Sequence, residues 1–162
     1  MHEAAGILGW IEGSALSHAM RGWLWLYPIV EIVHITGFVI LVGAVTMFDL
    51  RLLGFASQLP VQALGRHLLR WSAGGLLLVV PAGLMMFATH PQEFAASGVF
   101  RLKLALICVA GINAALFHIG VNRSVVNWDS GVAVPAAAKA HAALSIALWL
   151  AVISCGRLLA YT

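Results

Sequence analysis

The chain has 162 residues, of which 62% are hydrophobic and only 9% are charged. A soluble domain usually carries about 25% charged residues, so this composition cannot cover a water-facing surface and predicts an integral membrane protein. The net charge of +3 comes from scattered Lys and Arg side chains, which form no basic stripe for binding nucleic acid. The length allows one domain and no separate soluble module.

The N-terminal segment, residues 1–22, mixes apolar and polar side chains over a run too short to span a bilayer. Ile7 and Ile11 share one helical face, and polar residues such as Glu12 and Arg21 interrupt the apolar ones. This pattern predicts an amphipathic helix that lies in the membrane interface. The aromatic cluster Trp23, Trp25 and Tyr27 then marks the membrane boundary, as aromatic belts do.

Four later segments are apolar for the roughly 20 residues that a membrane-spanning helix needs. They cover residues 23–50, 64–87, 102–121 and 139–160. Short breaks between them predict antiparallel neighbours. We therefore expect an all-α integral membrane protein whose second part, residues 23–162, is a four-transmembrane-helix up-down bundle. Pro81 is predicted to kink the second span, because proline disrupts the helical hydrogen bonding.

The first span carries four ionisable residues: Glu31, His34, Asp49 and Arg51. A charge in the middle of a membrane helix costs about 2.5–3.5 kcal/mol on insertion scales, so such residues usually face other helices or serve a function. The spacing puts Glu31, His34 and Asp49 on roughly one helical face, which we expect to point inward. Arg51 is expected to reach the lipid headgroups.

Asp49 is predicted to form a structural ion pair with Arg66 or Arg70, because both arginines occur where the second span begins. Asn113, in the middle of the third span, is predicted to hydrogen-bond to another helix, as polar side chains in membrane helices commonly do.

Histidines occur within the spans or at their ends at four positions: His34, His67, His118 and His141. Each is either a hydrogen-bonded structural histidine or an axial ligand of haem iron. His34 is the first candidate ligand, His118 the second, and the other two are alternatives. In the haem interpretation Glu31 fixes the His34 tautomer. The sequence contains no metal-ligand motif, so haem iron is the one metal that it suggests.

Lys103 opens the third span on the side of the membrane from which His34 is reached. Its ammonium group either snorkels to the interface or meets Glu31 or a haem propionate. Lys and Arg residues are slightly more numerous on the side of the membrane opposite the chain termini. Because cytoplasmic loops are the more basic, this predicts that both termini lie on the periplasmic side of a bacterial inner membrane.

The chain resembles a family of small, uncharacterised bacterial four-helix membrane proteins over nearly its whole length. The resemblance is carried by EIVHITGFVILVG followed by DLRLLG, by FRLKL with Asn113 beyond it, and by SIALWLAVISCGRLLAY. More distantly it resembles copper-resistance D-type membrane domains and HemJ-type protoporphyrinogen oxidases. Those proteins also have a histidine in the first span and a Lys-Leu pair that opens a later one. This resemblance implies that His34 is the haem-ligand position and Lys103 its basic partner.

The leading hypothesis is a membrane protein that binds b-type haem and transfers electrons, or the membrane subunit of a redox complex. Its partners would be the lipid bilayer and membrane or periplasmic redox subunits. One alternative is a non-catalytic scaffold or accessory subunit of a larger complex. Another is a small metal or solute transport module, in which Glu31, His34 and Asp49 line the polar path. Whether the protein is an enzyme stays open.

Overall fold

The computed structural model describes residues 6–161, and every regular element in that range is a helix. In chain order the elements are α1 (Ile7–Glu12), α2 (Ala15–Gly22), α3 (Leu26–Leu53), α4 (Val61–Phe87), α5 (Pro91–Ala96), α6 (Gly98–Ile119), a 3-10 helix (Val121–Asn127) and α7 (Ala136–Leu158). The predicted all-α class is confirmed.

Four of these helices, α3, α4, α6 and α7, are long and apolar enough to cross a membrane. They coincide with the four predicted spans, with ends that move by only a few residues. Each keeps large apolar side chains exposed, for example Val39, Leu77, Ile112 and Leu150. A chain in water would bury such side chains, whereas contact with lipid requires them on the outer surface. The protein is therefore a multi-pass membrane protein.

The predicted interfacial helix covers residues 1–22, of which residues 1–5 lie outside the described range; residues 6–22 form two short helices, α1 and α2, rather than one. Ser14 separates them and caps α2, because its hydroxyl oxygen accepts a hydrogen bond from the Ser17 amide at 3.2 Å. Met20 on α2 is buried in one apolar cluster with Val30 of α3 and Ala82 of α4. The segment thus packs on the spanning helices, and its position in the membrane interface stays a prediction.

The chain divides into two compact units. The described part of the first unit comprises residues 6–41 and 73–98. It contains α1, α2 and α5 together with the first part of α3 and the last part of α4. Arg21 fastens α2 within this unit, because its guanidinium donates to the backbone carbonyls of Glu12 and Thr89, both at 3.0 Å.

Helices α3 and α4 approach each other closely at Gly37 and Gly75. A Cβ atom at Gly37 would lie 2.6 Å from Cβ of Leu78, and one at Gly75 would lie 2.7 Å from the carbonyl oxygen of Gly37. Real Cβ atoms do not approach other atoms so closely, so only glycine fits at these two positions. Small residues at helix crossings are the usual means of close packing in membranes.

The described part of the second unit comprises residues 42–72 and 99–161, and includes α6 from Val99 onward together with the whole 3-10 helix and α7. Its apolar core is formed by Leu52, Val61, Phe117, Val125, Trp128, Val134, Ala138 and Ala142. This core joins the end of α3 and the start of α4 to α6, α7 and the connection between them. The connection contains a 3-10 helix in a stretch predicted as a loop.

Arg51, at the end of α3, is almost completely buried in the second unit, at 2% exposure. Its guanidinium donates to the backbone carbonyls of Leu59 at 2.7 Å, Ser57 at 2.9 Å and Asp129 at 3.1 Å. The prediction that Arg51 reaches the headgroups is wrong. The guanidinium instead donates to three backbone carbonyls of the chain connections, and so fastens the α3–α4 connection to the α6–α7 connection.

Asp129 strengthens the same junction. Its carbonyl oxygen accepts from the Val61 amide at 3.0 Å, and its carboxylate oxygen Oδ1 accepts from the Gln62 amide at 2.8 Å. These amides belong to the first turn of α4, where the backbone N–H groups lack partners within the helix. Asp129 is therefore the N-terminal cap of α4, although it lies far away in the sequence.

Candidate functional site

His34 is fixed by the backbone of α4 in the first unit. Its ring nitrogen Nδ1 lies 2.9 Å from the carbonyl oxygen of Val79. A carbonyl oxygen can only accept a hydrogen bond, so Nδ1 carries the proton and donates it. In the neutral ring the lone pair therefore belongs to Nε2.

Gly83 provides the space for this histidine. A Cβ atom at Gly83 would lie 3.0 Å from Cε1 of His34, which is tighter than nearly all real contacts. Pro81 lies between Val79 and Gly83, and α4 continues through it as one helix. The α4 surface from Val79 to Gly83 is thus shaped around the imidazole ring.

Glu31 is exposed, so the prediction that it faces inward is wrong. Residues three apart on an α-helix differ by about 60° around the axis. This difference lets His34 contact α4 while Glu31 stays at the surface. The group that sets the His34 tautomer is the Val79 carbonyl.

Asn113 on α6 and His141 on α7 form a second polar pair, in the second unit. The Asn113 amide nitrogen Nδ2 donates to the backbone carbonyl of His141 at 3.0 Å, which places Oδ1 toward the ring. Nδ1 of His141 lies 2.7 Å from that Oδ1 and must donate to it. The prediction that Asn113 bonds to another helix is confirmed. His141, like His34, has its Nδ1–H bound and the lone pair on Nε2.

Asp49 on α3 is buried at 5% exposure. Its side-chain hydrogen-bond partner is Ser145 on α7, and its oxygen Oδ2 has no partner. The predicted ion pair with Arg66 or Arg70 is not formed. Both arginines are exposed on α4, because a long side chain can keep its charge in a polar environment at the end of a membrane helix.

The other predicted site residues lie apart from these groups. His67 is exposed, and its Nε2 accepts a hydrogen bond from the Trp71 indole at 3.1 Å. His118 is exposed at the end of α6. The Lys103 ammonium lies beside α7, 3.7 Å from where a Cβ of Gly156 would be.

Within residues 6–161, no three His, Cys, Asp or Glu side chains are grouped so that they could hold a metal ion. This leaves two candidate sites, namely His34 of α3, bonded to α4, in the first unit, and the buried Asp49, Ser145 and Asn113 with the partly buried His141 in the second. The sequence predicts a polar contact for each of these residues except Ser145. The only signal for Ser145 was its spacing of four residues from His141, which puts both on one face of α7.

The four long apolar helices define the class of this protein, an all-helical multi-pass membrane protein. Comparisons with protein-family models, with curated proteins and with solved structures found no match. The family resemblance therefore stays a prediction.

Proposed function

We propose that this protein binds b-type haem in a bacterial inner membrane and transfers electrons as the membrane subunit of a redox complex, with His34 as an iron ligand. The observation that carries the proposal is the hydrogen bond from Nδ1 of His34 to the Val79 carbonyl. Metal-ligating histidines almost always donate their second ring nitrogen to a carbonyl, carboxylate or water. This arrangement fixes the orientation of the ring and makes Nε2 more basic.

The surroundings of His34 suit such a ligand. The imidazole packs closely against Gly83, where a Cβ atom would lie 3.0 Å from Cε1, and α3 and α4 are apolar over the whole region. Bound haem would supply one-electron chemistry at its iron. The chain itself would orient the imidazole through Val79, keep water away from the site, and present apolar side chains to the macrocycle.

The same hydrogen-bond criterion ranks the other histidines. His141 becomes the second candidate, because Asn113 accepts from its Nδ1. His67 is disfavoured, because its Nε2 lone pair accepts from Trp71. His118, at the exposed end of α6, has no bond of this kind in the described range that would orient its ring. The order is therefore His34, His141, His118 and His67.

The test is the visible spectrum of protein purified in detergent from cells supplied with haem, recorded oxidised and then reduced with dithionite. We expect a Soret band, sharp reduced α and β bands, and a fixed ratio of haem to protein. His34→Ala should lose most of the haem, and imidazole added to that variant should restore part of the spectrum. This rescue distinguishes loss of a ligand from loss of the fold.

His67→Ala is the matched control and should keep its haem, because the exposed His67 is already bonded to Trp71. Full haem content in His34→Ala would overturn the assignment of the ligand. Absence of haem from the wild-type protein would overturn the redox function. A partner that co-purifies at fixed stoichiometry would then favour the scaffold, and proteoliposome uptake that is lost in Glu31→Gln would favour the transport module.

A further inference from the structure

Asp49 is the one buried acidic side chain among residues 6–161, and neither the fold nor the proposed haem site uses its free oxygen. The carboxyl group is hydrogen-bonded with Ser145 of α7, whereas Oδ2 is shielded from solvent and has no hydrogen-bond partner. A buried polar atom without a partner is unfavourable, and more so when it is charged. Such an atom in a membrane helix points to a ligand or a function.

Among residues 6–161, no cationic side chain forms an ion pair with this carboxyl group. Arg51, two residues further along α3, makes its three hydrogen bonds to backbone carbonyls, and its Nη1 has no hydrogen-bond partner. The other cationic or titratable side chains on the spanning helices of this unit are Arg66, His67 and Arg70 on α4, Arg101, Lys103, Cys108 and His118 on α6, and Lys139, His141, Cys155 and Arg157 on α7. In the described part of the chain, none forms an ion pair with Asp49; the two ion pairs there are Arg21–Glu12 and His90–Glu93.

We propose that Asp49 is a proton-binding site inside the membrane, which takes up a proton from water on Oδ2 and releases it again. Uptake converts the carboxylate to the neutral acid and so removes an unpaired charge from the apolar interior. Ser145 stays hydrogen-bonded to the carboxyl group and positions it. A metal cation is a poor alternative, because hard cations take six or more oxygen ligands and only two oxygen-bearing side chains meet here. The inference does not depend on haem.

The test is infrared difference spectroscopy of the whole protein in phospholipid vesicles, recorded over a range of pH. We expect a C=O stretching band of a protonated carboxyl group at low pH that disappears as the pH rises and shifts in D₂O. The band should be absent in Asp49→Asn, which keeps the shape of the side chain. It should remain in the control Glu93→Gln, because Glu93 is exposed on α5.

Ser145→Ala provides a second test if Asp49→Asn fails to fold. Loss of the hydroxyl should move the band in frequency without removing it, since one hydrogen bond to the carboxyl group is gone. The proposal is overturned if the Asp49 band is missing at every pH, or if it neither titrates nor exchanges. It is also overturned if sodium at constant pH removes the band, which would show a sodium site.

Discussion

Asn113 on α6 and His141 on α7 are joined by two hydrogen bonds, one to the backbone and one to the ring of the histidine. Both groups lie within helices that are otherwise apolar. The pair fixes the rotation of one helix relative to the other, because the Asn113 amide satisfies both bonds in a single orientation. It also fixes the tautomer of His141.

Replacing Asn113 with Leu should lower the stability of the protein. Hydrogen bonds between membrane helices contribute about 0.6 kcal/mol each on average, so two of them predict a loss of about 1 kcal/mol in the free energy of unfolding. SDS titration in mixed micelles measures this loss. The control is Asn127→Leu at the exposed end of the 3-10 helix, which should change stability less. Equal stability of the two variants would contradict the role of the pair.

Gly74 and Gly75 provide a matched comparison of two neighbouring positions on α4. A Cβ at Gly75 would meet backbone atoms of α3 at 2.7 and 2.8 Å, whereas a Cβ at Gly74 would meet nothing within 4 Å. We expect Gly75→Ala to destabilise the protein by about 1–3 kcal/mol, the usual cost of overpacking. Gly74→Ala should be neutral or stabilising, because alanine favours helix over glycine by up to about 1 kcal/mol. The measurement is the thermal unfolding temperature of both variants in detergent. Identical shifts of that temperature would argue against the close crossing of α3 and α4.

Arg51→Lys should destabilise the second unit although it keeps the charge. A lysine cannot reproduce the planar fork that reaches three carbonyls. Hydrogen bonds to a charged group contribute about 1.5–3 kcal/mol each, so losing even one should lower the free energy of unfolding by at least about 1.5 kcal/mol. Limited proteolysis should also cut the 54–60 or 128–135 connections faster. Arg66→Lys, on the exposed surface of α4, should leave both measurements unchanged; a similar effect in both variants would refute this role of Arg51.

Asp129→Ala removes only the side-chain part of the α4 cap, since the backbone carbonyl of this residue remains. Loss of such a cap costs about 1 kcal/mol, so a drop of that size is expected in SDS titration. Asp129→Asn retains an oxygen acceptor for the Gln62 amide and should keep most of the stability. An asparagine variant as unstable as the alanine variant would show that charge, rather than the capping bond, is what matters.

Several features of the fold could be predicted from the sequence, because a bilayer imposes them on any chain. A membrane-spanning helix must be apolar for about 20 residues and must satisfy its backbone internally. Composition alone therefore indicates the class and the four spans. The bond from Asn113 to another helix could be expected for a related reason, since an amide in lipid needs a partner.

The partner of each polar side chain was decided by the tertiary structure. The sequence pattern of Arg51 is typical of a headgroup-binding residue, but the folded chain brings to it the carbonyls of the nearby Ser57 and Leu59 and of Asp129, which is distant in sequence. Periodicity assigned Glu31 and His34 to one inward face, but a rotation of about 60° separates an exposed glutamate from a histidine bonded to α4. Helical spacing determines only approximately which residues share a face. Which atom meets which depends on helix rotation and close approach, and these are set by side chains on other helices.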